Sequence, residues 1–129
     1  MRAEPCSANL AASFLVTVLQ DKANPRQEMM MVDLLKGRCF VVLDDGDNAI
    51  GAYVLNGQGA EVWVQAAAGR PDVGFDLCDL LDDLIARHGA GFESIGFRTY
   101  RGGLVRKALR RGYEVVSRED GHIMRKKLK

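Results

Sequence analysis

A strand that runs through a glycine-bearing loop into a helix, with a second strand after that helix, restricts a fold more than any other pattern in this sequence. Residues 60–66 (Ala-Glu-Val-Trp-Val-Gln-Ala) predict the first strand, residues 67–74 the loop, and Phe75 opens the helix. Residues 94–99 (Ser-Ile-Gly-Phe-Arg-Thr) predict the second strand. A helical crossover returns the chain in its original direction, so the two strands should lie parallel in one sheet. The junction also gathers backbone N–H groups at a helix N-terminus, where an anion can be held.

Around that unit the periodicities give the remaining elements. Leu10, Phe14 and Val18, with Leu15 and Leu19, predict a helix over 8–22. Asn24-Pro25 is a helix start, and the helix carries Met29, Met30, Val32, Leu34 and Leu35 until Gly37 stops it. Strands follow over 38–43 and 49–55, separated by an Asp-rich turn at 44–48, with a second tight turn at 56–59. With residues 60–66 they form an antiparallel meander.

After the loop, Leu77, Leu80, Leu81, Leu84 and Ile85 predict an apolar stripe opposed by Asp79, Asp82, Asp83 and Arg87, with His88-Gly89 as its structural stop. Leu104, Val105, Ala108 and Leu109 stripe a last helix, closed by Gly112, whose other face carries Arg101, Arg106, Lys107, Arg110 and Arg111. Residues 113–117 and 122–127 flank Glu119-Asp120-Gly121 as a terminal hairpin. The fold class is therefore α+β: a mixed, mostly antiparallel sheet with a central parallel strand pair, flanked by about four helices, in a single domain over 1–129.

At 129 residues the chain can bury a core without staples. Cys6, Cys39 and Cys78 are odd in number and widely spaced, which fits reduced thiols in a cytoplasmic protein and neither a secreted framework nor a zinc cage. No metal site is expected: the aspartates of 44–48 lack the glutamate that completes a calcium loop. The apolar run 10–19 is too short to span a bilayer, and Glu4, Ser13 and Thr17 disqualify it as a signal peptide. Charge is divided along the chain, with nine acids and two bases over 44–87 against three acids and eleven bases over 98–129. The basic half fits a polyanion or an acidic partner, or equally a solvated helix face and tail, and the aromatics or recognition helix that a nucleic-acid module usually adds form no clear pattern in it.

Two stretches, the strand-loop-helix over 62–87 and Leu104-Val105-Arg106-Lys107-Ala108-Leu109-Arg110-Arg111-Gly112-Tyr113, resemble the GCN5-related N-acetyltransferase (GNAT) superfamily. That family's loop carries Gln/Arg-x-x-Gly-x-Gly/Ala, and its last helix runs Ala-x-x-Leu-Tyr-x-Lys-x-Gly-Phe. The resemblance covers about 90 residues, and it places the family's first strand before Ala8 if that strand is present. Trp63-Val64-Gln65-Ala66-Ala67-Ala68-Gly69 is similar to the short phage-encoded branch.

The resemblance implies an acetyl-CoA-dependent N-acetyltransferase acting on an amine acceptor, small molecule or protein, with no membrane partner and with a homodimer left open. Backbone of Val64, Gln65 and Ala66 would meet pantetheine. Gly69, Arg70, Val73, Gly74 and Phe75 would surround the pyrophosphate, and Arg101 and Arg106 the 3′-phosphoadenosine.

Departures from the pattern set the alternative, a GNAT-fold binding module without catalysis. Gly69 stands at the Gln/Arg position, with Arg70 one residue out of register. Asp72, in a glycine position, is a natural helix cap that competes with phosphate, and Asp76 adds a second negative charge. Ala108 stands where many members carry the tyrosine that protonates the leaving thiolate; Tyr100 is the substitute. Glu61 is the first choice of base, with Glu114 or a bound water as the other choices.

Overall fold

The computed structural model describes residues 2–19, 35–70 and 77–128. Seven strands form one sheet: β1 (Arg2–Pro5), β2 (Arg38–Leu43), β3 (Ala49–Gln58), β4 (Glu61–Gly69), β5 (Ser94–Thr99), β6 (Glu114–Ser117) and β7 (His122–Lys127), in the spatial order β1-β2-β3-β4-β5-β7-β6. Only β4 and β5 run parallel; every other neighbouring pair is antiparallel. Three helices are present among the described residues: α1 (Ala8–Leu19), α2 (Leu77–His88) and α3 (Gly102–Arg110). The helix expected from Asn24 lies outside them.

The strand expected before Ala8 is present as β1, a short edge strand containing Pro5. Pro5 pairs with Phe40, and the next residue, Cys6, donates its N–H to the Cys39 carbonyl at 2.9 Å. The ladder therefore places proline at a position where no N–H is needed. The Ser7 Oγ accepts from the Leu10 N–H at 3.2 Å and starts α1.

Each face of the sheet has its own core. On one, Phe40, Val42, Tyr53, Leu55, Val62, Ile95 and Met124 are buried with Leu84 and Ile85 of α2 and Ala108 of α3. On the other, Ala52, Val54 and Ala66 receive Ala11 and Leu15 of α1. Residues 52–55 of β3 alternate between the two, as a strand covered on both faces must, and the register shift at Ile50 turns that residue to the face of Tyr53 and Leu55. The aspartates of the first turn are structural: the Asp44 carboxylate accepts the N–H groups of Gly46 and Asn48, each at 2.9 Å, which holds its pKa below the usual carboxylate range.

Several boundaries and faces differ from the expectations. β3 runs on through Asn56, Gly57 and Gln58, and the tight turn is Gly59-Ala60, with Gly59 at φ +64°. Ala67, Ala68 and Gly69, expected in the loop, continue β4 in register with Tyr53, Ala52 and Gly51. Leu109 is exposed, because a helix of nine residues already buries its stripe through Ala108 and packs Val105 beside it.

Asp82 is not on a solvated face. The Tyr113 hydroxyl donates to its Oδ1 at 2.7 Å, and Lys126 Nζ lies 3.8 Å from Oδ2. His88 does more than end α2: its ring stacks on Phe40 at 4.4 Å, and its Nδ1 lies 2.7 Å from the Tyr53 hydroxyl.

Both of these tyrosines have pKa values raised by burial, with the Asp82 hydrogen bond adding to the shift at Tyr113. A folded-state pKa above the unfolded one favours the protonated phenol, so this stabilisation is complete below about pH 10 and is lost as pH rises beyond it. Unfolding midpoints in urea should fall steeply above about pH 10, and Tyr113→Phe should remove part of that slope. An equally steep slope in the variant would remove Tyr113 from the account.

Candidate functional site

The functional geometry begins where the parallel ladder stops. β4 and β5 pair over only three positions, Glu61↔Ser94, Val62↔Ile95 and Trp63↔Gly96. The closed end is pinned by the Ala60 carbonyl, which accepts the Glu93 N–H at 2.7 Å. Beyond Trp63 each strand keeps its outer neighbour. β4 stays on β3 as far as Gly51↔Gly69, extended by the Arg70 N–H donating to the Ile50 carbonyl at 2.8 Å. β5 stays on β7 as far as Thr99↔His122. The inner edges thus face each other across a wedge that opens towards Gly69 and Thr99.

A bulge accompanies the opening. Val54 pairs with Ala66 but Leu55 with Val64, so Gln65 is an extra residue on β4. A bulge bends its strand and re-aims the backbone N–H and C=O groups beside it. Backbone amides on an open sheet edge are the chemistry that receives an extended amide-bearing ligand, much as an added strand would be received.

The mouth is built from the ends of β4 and β5. The Thr99 Oγ1, buried, accepts the Arg101 N–H at 3.1 Å and so fixes the turn from β5 into α3. Arg101 is the N-cap of α3, without a side-chain cap bond, and Gly102 and Gly103 follow on the surface. The Tyr100 ring lies against the β6–β7 turn, within 2.8 Å of where a Gly121 Cβ would stand. That turn carries Asp120 at φ +53° and Gly121 at φ +86°.

The expected site residues divide accordingly. Val64, Gln65 and Ala66 lie on the wedge edge of β4, and Tyr100 and Arg101 follow β5 at the mouth. Gly69 and Arg70, both exposed, end β4. Arg106 is exposed on α3. Val73, Gly74 and Phe75, like Asp72 and Asp76, lie outside the described residues.

Glu61 stands apart at the closed end. Arg125 Nε donates to its Oε1 at 2.7 Å and Nη2 to its Oε2 at 3.1 Å, so both carboxylate oxygens are engaged. Gly96 pairs with Arg125 and makes this reach across β5 open, since a Cβ there would stand 2.6 Å from Glu61 Oε1 and 3.1 Å from the Trp63 ring. Glu114, exposed, pairs with Arg125 on the edge strand β6. Ala108 is buried in the core under the sheet, and no hydroxyl is supplied at its position.

Two features were not read from sequence. Thr99 carried a usable signal, a hydroxyl residue three before the first glycine of α3. The Gln65 bulge carried none, because any residue type can occupy one. Among the described residues no cluster of His, Cys, Asp or Glu could hold a metal, and no helix is long and apolar enough to cross a membrane.

No protein-family model matches the sequence, and no curated protein does. Solved structures do match. An aminoglycoside 6′-acetyltransferase type Ii superposes with TM-score 0.69 at 14% identity, covering 100% of this chain and 98% of the other. A GNAT-family acetyltransferase from Elizabethkingia anophelis, with acetyl-CoA bound, gives TM-score 0.68 at 13% identity, with 97% and 96% covered. A nourseothricin acetyltransferase gives TM-score 0.58 at 15% identity, and there the match spans 71% of this chain and 65% of the other. The chain has the fold of GNAT-family acetyltransferases: an α+β unit with a mixed sheet whose one parallel pair opens into a wedge.

Proposed function

We propose that this chain is an acetyl-CoA-dependent N-acetyltransferase, and that the wedge between β4 and β5 receives the thioester. The observation that carries the reading is the loss of β4–β5 pairing beyond Trp63↔Gly96, beside the Gln65 bulge on β4. Support comes from the match to a structure with acetyl-CoA bound. The widely spaced cysteines fit a cytoplasmic setting.

In this reading, backbone of Val64, Gln65 and Ala66 holds the pantetheine amides. Gly69 and Arg70, with Val73, Gly74 and Phe75, hold the pyrophosphate, and Arg101 and Arg106 the 3′-phosphate end. A neutral amine attacks the thioester carbonyl, a C–N bond forms and the C–S bond breaks. The proton lost by nitrogen needs an acceptor and the departing sulfur needs a donor. Tyr100 is the donor at the mouth. A bound water beside Tyr100 is the acceptor, because Glu61 lies at the closed end, opposite Ser94 and about 20 Å along β5 from Tyr100, with both carboxylate oxygens on Arg125.

The second reading, a binding module without catalysis, is favoured by Ala108, a buried methyl where the family's tyrosine would stand. For the enzyme, acetyl-CoA at a hundred times its Kd should stabilise the fold by about 2.7 kcal/mol, and no thermal shift at millimolar acetyl-CoA would leave only a module that binds another ligand or a protein. Release of free CoA thiol with a panel of amines separates an enzyme from a module that binds acetyl-CoA without turning it over. Arg70→Ala should weaken CoA binding about tenfold or more, from the loss of one or two charge-assisted bonds of about 1.5–3 kcal/mol each. Arg118→Ala, on the exposed β6–β7 connection, should leave it unchanged. Equal effects would take the phosphate site away from this loop.

A further inference from the structure

Cys6 and Cys39 belong to no part of the wedge, and their wide spacing in the chain reads only as reduced thiols. Their arrangement is more specific. The β1–β2 register runs Arg2↔Leu43 through Pro5↔Phe40 and ends there, but Cys6, the next residue, still donates its N–H to the Cys39 carbonyl at 2.9 Å, which keeps the two cysteines side by side. Directly opposed residues on neighbouring strands project from the same face. Both side chains pack against the cluster of Ala11, Leu15, Ala52, Val54 and Ala66 beneath α1, and both are half-buried.

A hydrogen-bonded antiparallel pair sets its Cα atoms about 5.5 Å apart, inside the span of about 4.4–6.8 Å that a disulfide bridges. The Cβ atoms of such a pair start slightly wide for a bond. Cys6 is the first residue past the end of β1, where the chain can close that gap without disturbing the rest of the ladder.

We propose that Cys6 and Cys39 are a redox pair that closes to an intrachain disulfide, clamping β1 and α1 to the sheet. The oxidant is a small disulfide such as oxidised glutathione. One thiolate attacks it, forming a mixed disulfide and releasing one reduced glutathione. The second cysteine thiolate then attacks the protein sulfur of that mixed disulfide, forming the Cys6–Cys39 bond and releasing the second glutathione. Two protein thiols are oxidised and one glutathione disulfide is reduced to two thiols, so electrons and protons balance. The bond closes a loop that contains α1, whose Ala11 and Leu15 are the helix's buried contribution to that face. Opening of the β1–α1 segment then requires reduction first. Burial raises the pKa of both thiols, so closure is slow at neutral pH. The proposal stands apart from the acyl-transfer reading.

The test treats the full chain with oxidised glutathione at about pH 8.5, near the ordinary thiol pKa, followed by alkylation and peptide mass mapping. The expected result is a Cys6–Cys39 linked peptide, Cys78 alkylated, and a thermal midpoint several degrees above the reduced protein that dithiothreitol reverses. Cys78→Ser should retain the link, and Cys39→Ser should lose both the link and the reversible thermal shift. Glutathione adducts without the link, or a link through Cys78, would overturn the proposal.

Discussion

Gly37→Ala should destabilise this fold by about 3 kcal/mol or more, which lowers the thermal midpoint by on the order of 10 °C. Gly37 leads into β2 at φ +135°, a conformation L residues rarely adopt. A Cβ there would stand 2.2 Å from the Leu55 carbonyl oxygen and 2.9 Å from its carbon. Those atoms are backbone of β3, a strand with a neighbour on each side, so no side-chain rotation relieves the clash. β2 must shift, and Phe40 and Val42 shift with it. Gly91→Ala is the control: its φ is +101°, but no atom lies within 4 Å of the added carbon. It should cost about 1 kcal/mol. Urea midpoints decide the matter, and equal losses in the two variants would show that the approach of Gly37 to β3 is not what limits substitution.

The same close approaches explain what was legible in the sequence and what was not. β2, β5 and β7 lie at the bounds expected from sequence, because runs such as Cys39-Phe40-Val41-Val42 are β-prone and end at turn-forming residues. Asn56-Gly57 imitates a hairpin turn. In the fold Gly57 is a strand residue, with the Phe92 ring 3.0 Å from where its Cβ would stand. Ala67 and Ala68 have little β propensity and entered the sheet because β3 offered them a continuous partner. Periodicity placed Asp82 opposite the apolar stripe, but a partner over 30 positions away, the Tyr113 hydroxyl, holds it. Composition along one helix carries no record of such a contact.

The candidate site divides along the same line. That β4 and β5 are parallel neighbours follows from chain order, since a helix separates them. That they pair at only three positions and then part depends on the Gln65 bulge and on the grip of β3 and β7, which are tertiary facts. Glu61 reads as an available carboxylate in sequence. Its engagement by Arg125 needs the Gly96 gap to be seen.

Tyr100→Phe should lower kcat about a hundredfold in the proposed acetyl transfer while leaving the binding of CoA unchanged. General-acid assistance by a positioned side chain is worth roughly 10²–10⁴, and the lower end fits a half-buried phenol in contact with solvent. A hundredfold corresponds to about 2.7 kcal/mol at the transition state. The phenylalanine ring keeps the contact with Gly121 and the β6–β7 turn, so the substitution removes only the hydroxyl. Tyr100→Ala removes that packing as well and should lose both kcat and thermal stability. The two variants therefore separate a proton donor from a wedge-supporting ring. If the ring alone matters, Tyr100→Phe behaves as the unmodified chain and Tyr100→Ala does not. If the hydroxyl protonates the departing sulfur, the loss in Tyr100→Phe should shrink with an acyl thioester whose thiol is more acidic, because such a leaving group needs less protonation. A loss independent of leaving-group acidity would assign Tyr100 to positioning and return the donor's role to solvent.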